Sequence, residues 1–319
     1  MGSKRPLVNL SLANPLDCLR MLSLFYRGRK ALLTFLREKQ IETCLALWVI
    51  PGGYFASYAS RRTGIPYSVW ALGSDIYRYG KNPFLYPLMK RIIREARAVF
   101  ADGFDLVDRI EARYQKKCSF LATTRTISAK EKRDQPHPSS PYRFLFVGRL
   151  ERVKGIDLLL QSMAMLEVEE GRPALLTVVG RGSLEPWAME FIEKKGLGSK
   201  VTMLGNVPDG VLASLYAASD CVVIPSRSES IPLVFSEALA FDREMVVTDV
   251  GDLGRLGREY GVADVIPPGD PGLLKEAMKE RIRQNNEGTK TRDGRKRAEL
   301  KRLFDMDASA ERFLASVAS

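Results

Sequence analysis

The chain has 319 residues, 45% hydrophobic and 27% charged, a globular mixture long enough for two domains that excludes disordered and collagen-like classes. Four cysteines (Cys18, Cys44, Cys118, Cys221) with no CxxC pair and no signal pattern at the N-terminus point to a reduced, cytoplasmic protein, and a lone histidine, His137 between two prolines, excludes a His-based triad or His-rich metal site. The formal charge of +11 is uneven: residues 1–140 hold 24 Lys and Arg against 11 Asp and Glu, a balance that favours an anionic partner or serves solubility alone.

The first expected element is a helix over about Leu16–Arg37. Arg20, Ser23, Arg27, Lys30, Thr34 and Arg37 recur at intervals of three and four, a basic stripe on an otherwise apolar helix. The stripe reads either as the wet edge of a core helix or as a face that adsorbs to an anionic membrane. Thr43–Ser60 is uncharged but is broken by Pro51-Gly52-Gly53, so it reads as strand, loop and helix rather than a membrane span. Strand-like runs occur in CLALWVI, YSVWAL, AVFAD and SFLAT, two or three strands fewer than a Rossmann-like domain normally has.

Arg125–Tyr142, rich in Pro, Ser and charge, is the expected linker. After it RFLFVG, ALLTVVG, KVTML, DCVVIP, EMVVTD and VADVIP alternate with helical patterns, which implies a parallel sheet covered on both faces. Pro271–Ser319 reads as two or three helices with a charged loop near Asn285–Arg295. The domains are placed at 1–129 and 130–319, with the final helices crossing back.

Three strand-loop-helix units carry the chemistry. In FLFVGRLERVKGIDLLL, Gly148 ends a strand, Arg149 and Lys154 lie in the turn, and Gly155 precedes a helix, so two cations and free helix amides meet where open α/β sheets bind ligands. VVGRGS is a second glycine turn that lacks the third glycine of a dinucleotide fingerprint. In DCVVIPSRSESIPLVFSEALA, Glu229 lies in the loop and Glu237 in a helix expected to carry Pro232 in its first turn. The amides near Ile231, Leu233 and Val234 can accept an anion. Glu237 has Leu233, Val234, Ala240 and Phe241 as helical neighbours, an apolar face on which a carboxylate needs a partner. Vicinal hydroxyls of a sugar would supply one; a lysine or arginine is the structural alternative.

VGRLERVKG, VVGRG, VTMLGNVP, PSRSESIPLVFSEALA and VVTDVGDL together resemble the retaining glycosyltransferases of family four, over residues 142 to about 282. GIPYSVWALGSDIYR is similar to that family's strand leading to a His-Gly-x-Asp turn, with Leu72 where histidine is usual and Asp75 as the acceptor-side candidate. The resemblance implies the GT-B fold, an α/β arrangement of two Rossmann-like domains facing a cleft, here with a shortened first domain. It also implies a hexosyltransferase that takes a UDP- or GDP-sugar as substrate and needs no cofactor or metal. Arg149 and Lys154 would hold the donor diphosphate, Glu229 the donor sugar, Glu237 the ribose, and the backbone around Val207 the base. The acceptor would be a glycan or glycolipid of the cell envelope, at the inner membrane face. An epimerase of the same architecture, expected to use histidine among its acid-base groups, is disfavoured because the lone histidine lies in the linker, and nucleic-acid binding by the absence of any recognised motif. A catalytically impaired binding module, or one subunit of a split transferase, is the competing expectation.

Overall fold

The structure is a computed structural model that describes residues 14–73, 75–80, 82–127, 141–166, 173–288 and 294–318. Most of the expected linker, including His137, and part of the Asn285–Arg295 loop lie outside the described residues. The chain forms two compact units, residues 1–121 with 315–319, and 122–314. The division follows the last strand of the first sheet, upstream of the boundary at 129 drawn from linker composition.

The first unit holds a four-stranded parallel sheet in sequential order: β1 (Cys44–Leu47), β2 (Tyr67–Ala71), β3 (Val99–Ala101) and β4 (Ser119–Phe120). Helices α1 (Pro15–Glu38), α2 (Tyr54–Thr63), α3 (Tyr86–Glu95) and α4 (Phe104–Tyr114) accompany it. One sheet face presents Ala46, Tyr67, Val69, Ala71, Val99 and Ala101 to Met89, Ile92, Ile93, Leu106 and Ile110, which makes a continuous apolar core. Among the described residues β1 is an edge strand of the sheet, and its alternate residues Leu45 and Leu47 are exposed.

Helix α1 begins at Asn14, whose side chain accepts the Leu16 N–H at 3.0 Å, and packs on α2 through Phe25 against Tyr54 and Phe55. It is not a core helix with one wet edge: Leu16, Leu19, Leu22 and Tyr26 are 62–67% exposed beside exposed Arg20, Arg27, Lys30 and Arg37. The apolar and basic residues therefore share the outer side. No helix among the described residues is long and apolar enough to cross a membrane.

The second unit carries β5 (Tyr142–Val147), β6 (Ala174–Val179), β7 (Val201–Gly205), β8 (Cys221–Ile224), β9 (Glu244–Thr248) and β10 (Asp264–Ile266). They pair in parallel in the order β10-β9-β8-β5-β6-β7. Helices α5 (Ile156–Met165), α6 (Glu185–Lys194), α7 (Asp209–Ala218), α8 (Leu233–Ala240), α9 (Leu253–Glu259), α10 (Pro271–Asn286), α11 (Gly294–Leu303) and α12 (Met306–Ala318) complete the chain. This is the doubly wound order, in which the chain reverses direction across the sheet between β5 and β8. All six strands that the hydrophobic pattern implied are present. Phe144, Phe146, Val223 and Val246 on one face and Leu145, Val222, Met245 and Val247 on the other are nearly inaccessible, as expected of a parallel sheet covered on both faces.

Candidate active site

Open α/β sheets bind ligands at the carboxyl ends of the strands on either side of the switch point, here β5 and β8, and the candidate residues lie in the two loops that follow them. The turn after β5 needs glycine where backbones meet. Gly155 has φ +74°, and a Cβ there would sit 1.9 Å from the Pro225 carbonyl oxygen of the β8 loop; a Cβ on Gly180, at φ +130°, would sit 1.9 Å from the Gly148 oxygen. VVGRGS is thus a close backbone seat for the β5 loop, with Leu150 N–H donating to Arg181 O at 2.9 Å.

Arg227 ties the two loops together. Its backbone N–H donates to Val153 O at 2.8 Å, its guanidinium to Arg152 O at 2.6 Å, and its fork to both oxygens of Asp157 at 2.7 and 2.8 Å. Across this bridge Lys154 forms an ion pair with Glu229, which also accepts a hydrogen bond from Ser226 Oγ at 3.0 Å. Two of the three expected catalytic residues, more than seventy positions apart, are therefore in contact. The third, Arg149, is exposed beside Gly148, and its guanidinium makes no ion pair among the described residues.

Pro232 is not in the first turn of α8. It adopts an extended conformation at the N-cap, so the helix starts at Leu233. The amides of Leu233 and Val234 thus belong to the first turn, where N–H groups lack intrahelical partners, while Ile231 lies in the preceding loop. Val207 lies in the loop between β7 and α7.

Glu237 is 4% exposed, and both carboxylate oxygens have partners. Arg125 Nε donates to Oε1 at 2.5 Å and the Tyr216 hydroxyl to Oε2 at 2.6 Å; Arg125 Nη1 also reaches Asp209 Oδ1 at 3.3 Å. Burial and then the adjacent Glu237 charge push the Tyr216 hydroxyl well above its ordinary pKa. The structural alternative, an arginine partner, is thus what occupies one oxygen of Glu237, although sequence reasoning located neither donor. Arg125 sits in what read as linker, and Tyr216 lies on the same helical face as Leu212 and Ala213, which reads as core. The one available signal was the need of Glu237 for a partner.

In the first unit, Asp75 is fully buried and its Oδ2 accepts the Val49 N–H at 2.7 Å. It anchors the turn after β1, in which Trp48 holds a left-handed φ of +62°, a strained conformation for a bulky residue. Burial raises the Asp75 carboxyl above the usual carboxylate range, against the backbone N–H donors that lower it. The acceptor-side candidate therefore braces a loop and presents no accessible carboxylate. Leu72, at the usual histidine position, is half-buried, and Ser74 lies outside the described residues.

This geometry can be set beside known proteins. The family model described as glycosyl transferases group 1 matches residues 128–299, more than half of the chain. The chain belongs to the group 1 glycosyltransferases. Among the relatives of this chain, a D-inositol 3-phosphate glycosyltransferase from Segniliparus rotundus is 42% identical over 113 residues, 34% of this chain and 25% of the relative. An alpha-D-kanosaminyltransferase from Streptomyces kanamyceticus is 29% identical over 124 residues, 39% of this chain and 32% of the relative. The matched segment thus spans a third or less of either relative's length. The fold is shared with sucrose-phosphate synthase from Thermosynechococcus elongatus (TM-score 0.72, 19% identity, 89% of this chain and 75% of the other). It is shared also with Anabaena HepE in complex with UDP and glucose (TM-score 0.73, 15% identity, 91% and 81%). Both likenesses establish the two-domain GT-B fold.

Proposed function

We propose that this glycosyltransferase moves a hexose from a UDP- or GDP-sugar, with retention of anomeric configuration and without a metal, to a hydroxyl of a lipid-linked, lipopolysaccharide or polysaccharide acceptor. The observation that carries the reading is the ion pair between Lys154 and Glu229, which joins the loops after the adjacent strands β5 and β8, with Arg149 following β5 and the first turn of α8 following the β8 loop. The bond between the anomeric carbon and the β-phosphate oxygen breaks, and the acceptor oxygen forms its bond to that carbon on the same face. The departing phosphate oxygen takes the acceptor's proton, so no histidine base is required. Arg149 and Lys154 stabilise the negative charge that develops on the diphosphate, with the α8 amides adding dipolar support. Glu229 orients sugar hydroxyls, and Glu237 accepts from the ribose. That HepE was solved with UDP and glucose supports the choice of a nucleotide-sugar donor. Loss of one cation from such a site lowers kcat by about 10²–10³-fold, the scale of removing a single transition-state donor. Lys154→Ala should show this in a donor panel assayed against lipid and glycan acceptors. Absence of transfer from every UDP- and GDP-sugar in wild type sinks the proposal.

The acceptor side is assigned to the cytoplasmic face of an anionic membrane, supported by α1. Leu16, Leu19, Leu22 and Tyr26 would bury in the headgroup region while Arg20, Arg27, Lys30 and Arg37 meet lipid phosphates. Co-sedimentation with anionic but not neutral vesicles, reduced in Leu19→Ser/Leu22→Ser, is the expected result; equal binding to both vesicle types counts against it. No nucleic-acid partner is proposed. A second reading, a binding module or one part of a split transferase, is favoured by the exposed Leu45 and Leu47 on β1, an edge strand among the described residues. Thermal stabilisation by UDP or GDP without turnover, or rescue of turnover by a second polypeptide, selects it.

A further inference from the structure

We propose that Arg125 is a displaceable latch on the nucleoside site: its guanidinium holds the one addressable oxygen of Glu237 until a ribose hydroxyl takes it, while Tyr216 fixes the carboxylate in register. The inference rests on the ribose role of Glu237 given above and goes beyond it. The two oxygens of Glu237 are not equivalent. Oε2 faces the hydroxyl of Tyr216, which is fully buried and stacks on Phe241 with ring centroids 5.3 Å apart, so this contact is part of the packed interior. Oε1 faces Arg125, whose side chain is 39% exposed and can leave without opening the core.

A released guanidinium has somewhere to go. Asp209, the first residue of α7 and two positions beyond Val207, is exposed and already lies 3.3 Å from Arg125 Nη1. Movement from Glu237 toward Asp209 keeps the charge paired and shifts it to the side of the site where the base is expected. Tyr216 is then a positioning residue. Without its hydroxyl the Glu237 carboxylate loses the bond that holds its plane, and a vicinal diol meets a rotating acceptor.

The test is calorimetric titration of UDP, GDP and their 2′-deoxy forms into wild type, Glu237→Ala, Arg125→Met, Arg125→Lys and Tyr216→Phe. Competition from a partly exposed ion pair is modest, so Arg125→Met should tighten the diphosphate that binds about three- to tenfold. The gain should be smaller for the 2′-deoxy form, which offers Glu237 less. Arg125→Lys, which keeps the charge and lacks the Nε donor, should fall between the two and replaces the Met variant if that fails to fold. Tyr216→Phe should weaken the ribose form severalfold and leave the deoxy form nearly unchanged, a split that general loosening of the fold would not produce. Weaker or unchanged binding in both Arg125 variants, with binding lost in Glu237→Ala, overturns the latch and leaves the ribose role standing. Unchanged binding in Glu237→Ala, or no binding by wild type, overturns both.

Discussion

Replacing Arg227 tests whether the two loops of the active site are held by one side chain. In Arg227→Ala the backbone bond to Val153 survives, but the fork to Asp157 and the bond to Arg152 O are lost. The Arg227 and Asp157 side chains are 27% and 13% exposed, between the surface pairs that contribute under about 1 kcal/mol and the buried pairs whose breakage costs about 3–5 kcal/mol. Asp157 keeps one compensation, its place in the first turn of α5, which favours its negative charge by about 0.3–1 kcal/mol. The expected loss is about 2 kcal/mol, read from urea unfolding with an unchanged m value. A double-mutant cycle with Asp157→Ala should return a coupling of about 1–2 kcal/mol. Donor affinity should also fall at temperatures where the variant is fully folded, because Lys154 and Glu229 sit on the two loops that Arg227 joins. A destabilisation below about 0.5 kcal/mol, or undiminished donor binding, refutes the clamp.

Two further outcomes follow from buried charge. Arg281 on α10 pairs with Glu244 at 2.9 Å and with Asp264, all three largely shielded, so Arg281→Ala should cost about 3 kcal/mol in urea unfolding, and adding Glu244→Met should recover part of it. For Asp75 the sign runs the other way from a surface carboxylate. Its folded pKa is raised by burial, so the stability it contributes is complete below about 3.9 and is lost as pH rises through the folded value. Asp75→Asn keeps an acceptor for the Val49 N–H and removes that loss; its stability relative to wild type should increase as pH rises above about 4, and a pH-independent difference refutes the assignment.

The architecture was legible because parallel strands covered on both faces are apolar along their length, as β8 and β9 at the middle of the sheet are, while the partly exposed β7 and β10 at its two edges kept enough of the pattern to be found. The approach of Lys154 to Glu229 was legible because both lie in loops at the carboxyl ends of strands that become neighbours in a doubly wound sheet. The partners of Glu237 were not. Arg125 is 112 positions away and lies in a segment with no periodicity, so nothing local links the two residues. Asp75 was misplaced for a related reason: the sequence marks a carboxylate at a turn and is silent on the Val49 N–H, 26 positions upstream, that draws it inward. Helix α1 shows a third limit. Periodicity finds a stripe, but whether its apolar flanks are covered depends on what packs outside the helix.

In ALAFDREMVV, Asp242 and Glu244 stand where the resemblance to family four implies glycine and proline, and the structure accommodates both. Asp242 stands where the family usually has glycine, and its φ of +57° explains that preference; a residue with a Cβ in the left-handed region costs roughly 1–2 kcal/mol. The carboxylate has two cations within reach, Arg297 at 3.1 Å and Lys301 at 2.8 Å, both on α11. Glu244, in place of proline, brings a backbone N–H and a carboxylate into the first position of β9, and Arg281 of α10 meets the charge. Each departure thus adds a charge at the β9 end of the loop after α8, and each charge is answered by a helix late in the chain. Both substitutions lie beyond the carboxyl end of α8, while Glu229 and the α8 amides lie at its amino end. Both departures are therefore accommodated at the carboxyl end of α8, away from the amino end where the proposed sugar and diphosphate residues lie.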